Sequence, residues 1–255
     1  VMTQDSAFGT LLYDTRKGHE GWCNPVCKMV GVNIEHMPTI KKSTEEVGKI
    51  TEKAAKELGL AEGTAVYGGG GDASLIGVGA GAVEIGDTHI YSGTSGWVGT
   101  VVPEQIVDAG AMMAAIVGVD PEAYNYFGEL ETSNKCVSWV KDHLALDEIG
   151  VFLKKYGNAS DSFEQVEFNL YDYLEEVIDT IPAGSNGVVF TPWLHGNRCP
   201  FEDPNAAGMF FNIRLETGKT ELIRAVVEGI CFHMRWMLER QEQKVSKYKK
   251  EDTVR

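Results

Sequence analysis

No stretch of the 255-residue sequence approaches the roughly 18 apolar residues that a membrane-spanning helix needs. Positive charge is also scarce, with 23 Lys and Arg against 37 Asp and Glu for a formal net charge of −14. Nucleic acid and anionic membranes both call for a positive footprint, so neither is expected as a partner. An anionic small molecule stays open, because backbone N–H groups and a metal ion can bind phosphate without net positive charge. Val1 to Gly9 show neither a basic n-region nor an apolar h-region, so no signal peptide is expected and the cytoplasm is the expected compartment. Cysteine is sparse and odd in number: Cys23, Cys27, Cys136, Cys199 and Cys231 make no disulfide framework. His19, Cys23 and Cys27 could set three ligands on one helical face. No second cluster offers a fourth ligand, so buried reduced thiols are the reading adopted. Internal repeats and low-complexity tracts are absent.

What is present is ordinary for a globular chain: 43% hydrophobic and 24% charged residues, long enough for one large domain or two modest ones. Thr10 to Thr15 reads as a strand end before a turn at Lys17-Gly18. Pro25 to Val30 reads as a short helix closed by Gly31. Ser43 to Leu58 reads as a helix or helical hairpin, with Thr51 as an N-cap and Gly59 at the C-terminus. From Thr64 the character changes. Ala65 to Tyr67 is an apolar strand running into Gly68-Gly69-Gly70-Gly71-Asp72, and the small residues Ala73 to Ala82 follow in a helical pattern. Asp87 to Tyr91 and Trp97 to Val102 read as a hairpin around Ser92-Gly93-Thr94-Ser95-Gly96. Further elements are a strand at Ala111 to Val117 and amphipathic helices at Ser133 to Leu144 and Tyr171 to Ile178. Gly187 to Phe190 reads as a strand, Thr191 to Gly208 as a long loop, and Phe210 to Ile213 as another strand. Thr220 to about Gln243 is the longest helix, with Thr220 as its N-cap, and the charged tail from Lys244 is expected to fray. Strands and helices in alternation imply an α/β fold with a mixed sheet.

Two stretches carry chemistry. The glycine run lets backbone approach a ligand closely and delivers Asp72 at a strand's C-terminal edge, where open α/β sheets bind ligands. Asp72 could equally be a helix N-cap in a plain strand-to-helix turn. The turn Ser92 to Gly96 packs amides and hydroxyls into a nest suited to phosphate oxygens, or is an ordinary hairpin tip. Together they suggest a base facing a phosphate clamp.

The stretches YGGGGDASLIGVGAGAVEIGD, YSGTSGWVG, TPWLHGNRCPFEDPNAAGMFFNI and ELIRAVVEGICFHMRWMLE occur in an order and spacing that resemble the FGGY carbohydrate kinases, most of all the xylulokinase type. The resemblance covers nearly the whole chain. It implies an actin-like (ribonuclease H-like) ATPase lobe with a mixed β-sheet flanked by helices. Residues 1–62 would be the end of a first lobe and a connecting segment, and residues 63–255 a second lobe. It implies ATP and Mg²⁺ as cofactors, a sugar substrate and Asp72 as the base that takes the attacking hydroxyl's proton. It places Gly93, Thr94 and Ser95 at phosphate and Asn134 near the nucleotide, where relatives carry glycine. Asp5 and Ser6 would approach the sugar. Arg198, Pro200, Asp203 and Pro204 keep a loop motif in which Asn197 replaces the usual acidic residue, and that loop is read as structural. His195, His233 and Arg235 are read as structural or surface groups, and Trp97, Trp193 and Trp236 as core. A homodimer is a further implication of the family, though no residue here specifies an interface.

The resemblance also implies an Asp-x-Gly-Thr phosphate loop and, soon after the long helix, a Gly-Gly-Gly adenosine motif, and these residues supply neither. These 255 residues alone are therefore expected not to turn over ATP. Three readings stay open: part of a pentulose kinase, the one favoured; a non-catalytic actin-fold binding or assembly module; and an ATPase of the chaperone or hexokinase type.

Overall fold

The structure is a computed structural model that describes residues 1–120, 122–144, 171, 172, 174–176 and 178–248. Its centre is a five-stranded sheet, built from β7 (Thr88–Ser92), β8 (Gly96–Val102), β9 (Val107–Asp108), β10 (Met113–Val117) and β11 (Tyr124–Leu130). The order across it is β7-β8-β11-β10-β9, with every neighbouring pair antiparallel. β8 is buried along its whole length, as its near-continuous apolar run requires of a strand covered on both faces.

The long helix α6 (Lys219–Val245) covers one face of this sheet. Its Ile223, Val226, Ile230, Met234 and Met237 join Val98, Val102, Tyr126 and Leu130 in the main core. Each such side chain contributes about 1.5–3 kcal/mol by leaving water. Gln241, fully buried on α6, sets the helix's register on the sheet. Its Nε2 donates to the carbonyls of Val98 (2.8 Å) and Tyr126 (3.1 Å), while Thr100 Oγ1 donates to its Oε1 (3.1 Å). α5 (Asn134–His143) packs beside α6.

The first 80 residues form small elements. β1 (Met2–Thr3) pairs in parallel with β4 (Ile40–Lys41), so the chain's pairings are mixed although its largest sheet is antiparallel. α1 (Gln4–Phe8) follows β1, and β2 (Tyr13–Asp14) makes a hairpin with β3 (Gly21–Trp22). α2 (Asn24–Met29) follows, then β5 (Glu46–Lys49), α3 (Glu52–Leu58), β6 (Ala65–Tyr67) and α4 (Asp72–Gly79). β12 (Val189–Thr191) and β13 (Met209–Phe211) form a separate antiparallel pair against α6.

Several sequence expectations need correction. Ser43 to Ile50 is not helical: β5 pairs antiparallel with β6, a long-range partner that a local helical pattern cannot reveal. Only the second part forms α3, where Thr51 Oγ1 accepts from Ala54 N (3.3 Å) and Gly59 is left-handed at φ 69°. The N-cap of α6 is Gly218 rather than Thr220, and its N–H is satisfied by Glu221 Oε2 at 3.0 Å. The helix does not fray at Lys244, because Val245 is fully buried and Lys247 pairs with Glu104 at 3.1 Å. Residues 249–255 lie outside the described residues. Of the helix expected at Tyr171 to Ile178, the described residues are helical and the others lie outside. Cys23 is the N-cap of α2, so His19 stands off that helix, and no cluster of His, Cys, Asp and Glu suited to a metal occurs among the described residues. All five cysteines are free thiols, but only Cys27, Cys136 and Cys199 are buried; Cys23 is half-buried and Cys231 exposed.

Candidate functional site

The glycine run after β6 is clamped to the first segment of the chain. Gly68 N donates to Glu45 O (3.1 Å), Gly69 N to Ser43 O (3.0 Å) and Gly71 N to Asp5 Oδ2 (2.6 Å). Such close approach dictates the residue type. A Cβ on Gly68 would lie 2.7 Å from Thr3 Cγ2, and one on Gly70 would lie 2.7 Å from Asp5 Oδ2. Gly69 needs glycine for its backbone, at φ 69°.

Asp72 emerges from this loop as the first residue of α4, with Gly71 as the N-cap. It is therefore not the cap that a plain turn would make of it. Its Oδ1 accepts from Ala73 N at 2.8 Å, and the side chain is exposed. A carboxylate there lies against the positive end of the helix dipole and faces solvent. The other acidic candidate differs. Asp5 is only 8% exposed, and besides Gly71 it binds Thr3 Oγ1 (2.7 Å) and Ser43 Oγ (3.3 Å) through Oδ1. Ser6, next to it, is exposed and lies 3.1 Å from Thr3 Oγ1.

The second cluster is the β7–β8 turn. The start of α5 is docked onto its carbonyls: Asn134 N donates to Gly93 O (2.8 Å), and Ser133 N (3.0 Å) and Lys135 N (3.3 Å) both donate to Thr94 O. Helix N–H groups that would otherwise lack partners thus hold the turn in place. The Asn134 side chain completes the dock, with Nδ2 donating to Ser92 O (2.9 Å) and Oδ1 accepting from Ser92 Oγ (3.1 Å). Ser92 Oγ is also 2.8 Å from Ser133 Oγ. The hydroxyls of Thr94 and Ser95 have no hydrogen-bond partner among the described residues, and Thr94 is exposed. A rigid turn with two uncommitted hydroxyls can take acceptor oxygens such as those of phosphate.

Asp5 is thus brought to Asp72 by the glycine loop, and Asn134 to Gly93, Thr94 and Ser95 by helix docking. No hydrogen bond among the described residues joins the two clusters. They are linked by packing, because α4 lies on β7 and Gly77 meets His89. His89 is 1% exposed and wedged between Gly77 and Gly99, where an added Cβ would lie 2.9 Å and 2.6 Å from its Cε1. Trp97 Nε1 donates to His89 Nε2 at 3.1 Å, and burial pushes the imidazole's pKa below the ordinary histidine value.

Beside the turn lies a cavity of about 550 Å³, lined among others by Thr94, Glu131, Lys135, Trp139, Leu194 and His195. Of these, the sequence alone points only to Thr94 as a binding residue. Lys135 and Trp139 could have been found from their helical spacing after Ser133, whereas Glu131 and His195 join only through the tertiary fold. Arg198 pairs with Glu129 and with Glu131 (3.1 Å), the latter lining the cavity. Asn197 steadies the same loop, donating to the carbonyls of Cys199 (3.2 Å) and Phe201 (2.7 Å). His233 is buried, accepts from Trp193 Nε1 (3.2 Å) and donates from Nε2 to Cys199 O (2.7 Å). Trp97 is in the core and stacked on Tyr91, but Trp236 is 44% exposed.

Comparison with known proteins places the chain in a family. Residues 89–252 match the FGGY family of carbohydrate kinases, C-terminal domain, and residues 3–79 match the N-terminal domain of the same family. A xylulose kinase of Bacillus subtilis (strain 168) is 28% identical over 235 residues, which is 92% of this chain and 42% of that protein. A gluconokinase of the same organism is 23% identical over 213 residues, covering 84% of this chain and 39% of the relative. The chain therefore spans less than half the length of the curated relatives it matches. Among solved structures, ligand-bound xylulose kinase from Lactobacillus acidophilus superposes with a TM-score of 0.74 at 24% identity, over 96% of this chain and 45% of that one. That likeness bears on the fold, which is the actin-like α/β arrangement. The chain belongs to the FGGY family of carbohydrate kinases.

Proposed function

We propose that the protein containing these residues transfers the γ-phosphoryl group of ATP to a hydroxyl of a small sugar or polyol, with Asp72 as general base. The observation that carries this reading is an exposed carboxylate, held at a helix N-terminus by a clamped glycine loop, on the same framework as a turn whose Thr94 and Ser95 hydroxyls have no partner among the described residues. The hydroxyl's proton passes to the Asp72 carboxylate as its oxygen bonds to the γ-phosphorus, and the bond to the ADP leaving group breaks. General base action of this kind contributes about 10²–10⁴-fold, with positioning and charge neutralisation supplying the rest.

Thr94 and Ser95 hold phosphate oxygens in this reading, and Gly93 keeps the turn tight. Asn134 serves the nucleotide through the turn it grips, since its side chain is bonded to Ser92. Ser6 faces the sugar. Mg²⁺ accompanies ATP in such transfers by neutralising phosphate charge. Among the described residues no three or more His, Cys, Asp or Glu gather into one group, and none is assigned to the metal. A pentulose such as D-xylulose is the preferred substrate, supported by relatives named as xylulose kinases. The division into residues 1–62 and 63–255 as the end of one lobe and the body of another belongs to the same proposal, as does the expectation that the 255 residues alone do not turn over ATP.

The test is ADP release by the whole protein with D-xylulose, L-ribulose, glycerol or gluconate as acceptor. The proposal expects release that depends on one of these compounds, with D-xylulose best. ATP hydrolysis indifferent to all of them, or none at all, refutes it.

A further inference from the structure

We propose that Asp5 is a positioning residue that sets the catalytic carboxylate of Asp72 by holding Gly71, rather than a ligand of the sugar. This inference rests on the assignment of Asp72 as the base. Asp5 lies on α1, whose Ala7 is fully buried in a small core with Tyr13 and Val117, so its backbone is anchored. Its Oδ2 accepts from Gly71 N at 2.6 Å, a short bond between an amide and a charged acceptor. Gly71 is the residue before Asp72 and the N-cap of α4, with φ −72° and ψ 160°. The bond therefore acts on the peptide unit from which Asp72 projects.

The rest of the carboxylate is spoken for. Thr3 Oγ1 and Ser43 Oγ both reach Oδ1, at 2.7 and 3.3 Å, and the side chain is almost wholly buried. Little of it is left for a sugar hydroxyl. The loop is built around this group, since a Cβ on Gly70 would lie 2.7 Å from Oδ2. Further along α4, Gly77 seats the helix against His89. The helix body is thus located by packing, and its first residue by Asp5. Misplacing a reacting group by about 1 Å can cost about 100-fold in rate, so loosening Gly71 is expected to appear in turnover.

The experiment compares Asp5→Ala, Asp5→Asn and Asp72→Asn in the whole protein, by steady-state kinetics and by amide hydrogen exchange at Gly71. Asp5→Ala is expected to lower kcat between about tenfold and 100-fold, with KM for ATP and for sugar within about twofold, and to speed Gly71 exchange. Asp5→Asn keeps an oxygen that can accept from Gly71 and is expected to recover much of the rate, which also covers the case in which the alanine variant fails to fold. A raised sugar KM with kcat unchanged would make Asp5 a sugar ligand and overturn the proposal. An unchanged kcat with unchanged Gly71 exchange would overturn it as well. If the unsubstituted protein shows no acceptor-dependent ADP release, the functional reading fails. Gly71 exchange then still decides whether Asp5 holds the loop.

Discussion

The amide of Asn134 donates to the carbonyl of Gly93 at 2.8 Å, tying the first turn of α5 to the tip of the β7–β8 hairpin, and its side chain grips Ser92 on the same tip. The turn is therefore held by another element rather than by its own strands alone. Asn134→Ala removes the side-chain grip and keeps the backbone bond. It is expected to cost about 0.5–1.5 kcal/mol in urea unfolding and to raise KM for ATP, with kcat little changed. Unchanged stability and KM would show that the side chain does not steady the turn.

Gly99 faces His89 across the interior of the sheet, with space for hydrogen only. Gly99→Ala would place Cβ 2.6 Å from His89 Cε1 and should destabilise the fold by about 1–3 kcal/mol. Combining it with His89→Ala should recover part of that loss, a non-additivity expected of residues in contact. Strict additivity in urea unfolding would argue that the two do not meet.

Burial pushes the pKa of both His89 and His233 below the ordinary histidine value of 6.5. Below about pH 6.5 the unfolded chain takes up protons that the folded protein refuses. Stability should therefore be fully present above that pH and be lost as the pH falls from 6.5 through the lowered folded values. Glu45, Glu228 and Asp14, held below their usual range by their Lys, Ser and Arg partners, act in a separate window below about pH 4.5. Thermal unfolding between pH 7 and 5 checks this: Tm should fall across the interval, and His89→Gln with His233→Gln should flatten the slope. A flat profile in the unsubstituted protein would contradict it.

Much of the candidate site's local structure is legible in the sequence because its signals are local. The glycine run before Asp72, the hydroxyl-rich hairpin and the start of α5 all lie where their neighbours in sequence put them. What was not legible depends on distant partners. β11 carries Asn125, Gly128 and Glu129, which break an apolar pattern. It is a strand because β8 and β10 flank it and Gly128 tucks under Met113. β5 resembled helix until β6 claimed it. The bond from Gly71 to Asp5 joins residues 66 apart in sequence, and no motif spans that interval.

The most direct test of the central claim is Asp72→Asn in the whole protein, assayed for acceptor-dependent ADP release alongside ATP binding by calorimetry. Asp72 as general base predicts a loss of turnover of about 10²–10⁴-fold with ATP affinity retained. Turnover within a few-fold of the unsubstituted protein would contradict it and remove Asp72 from the chemistry.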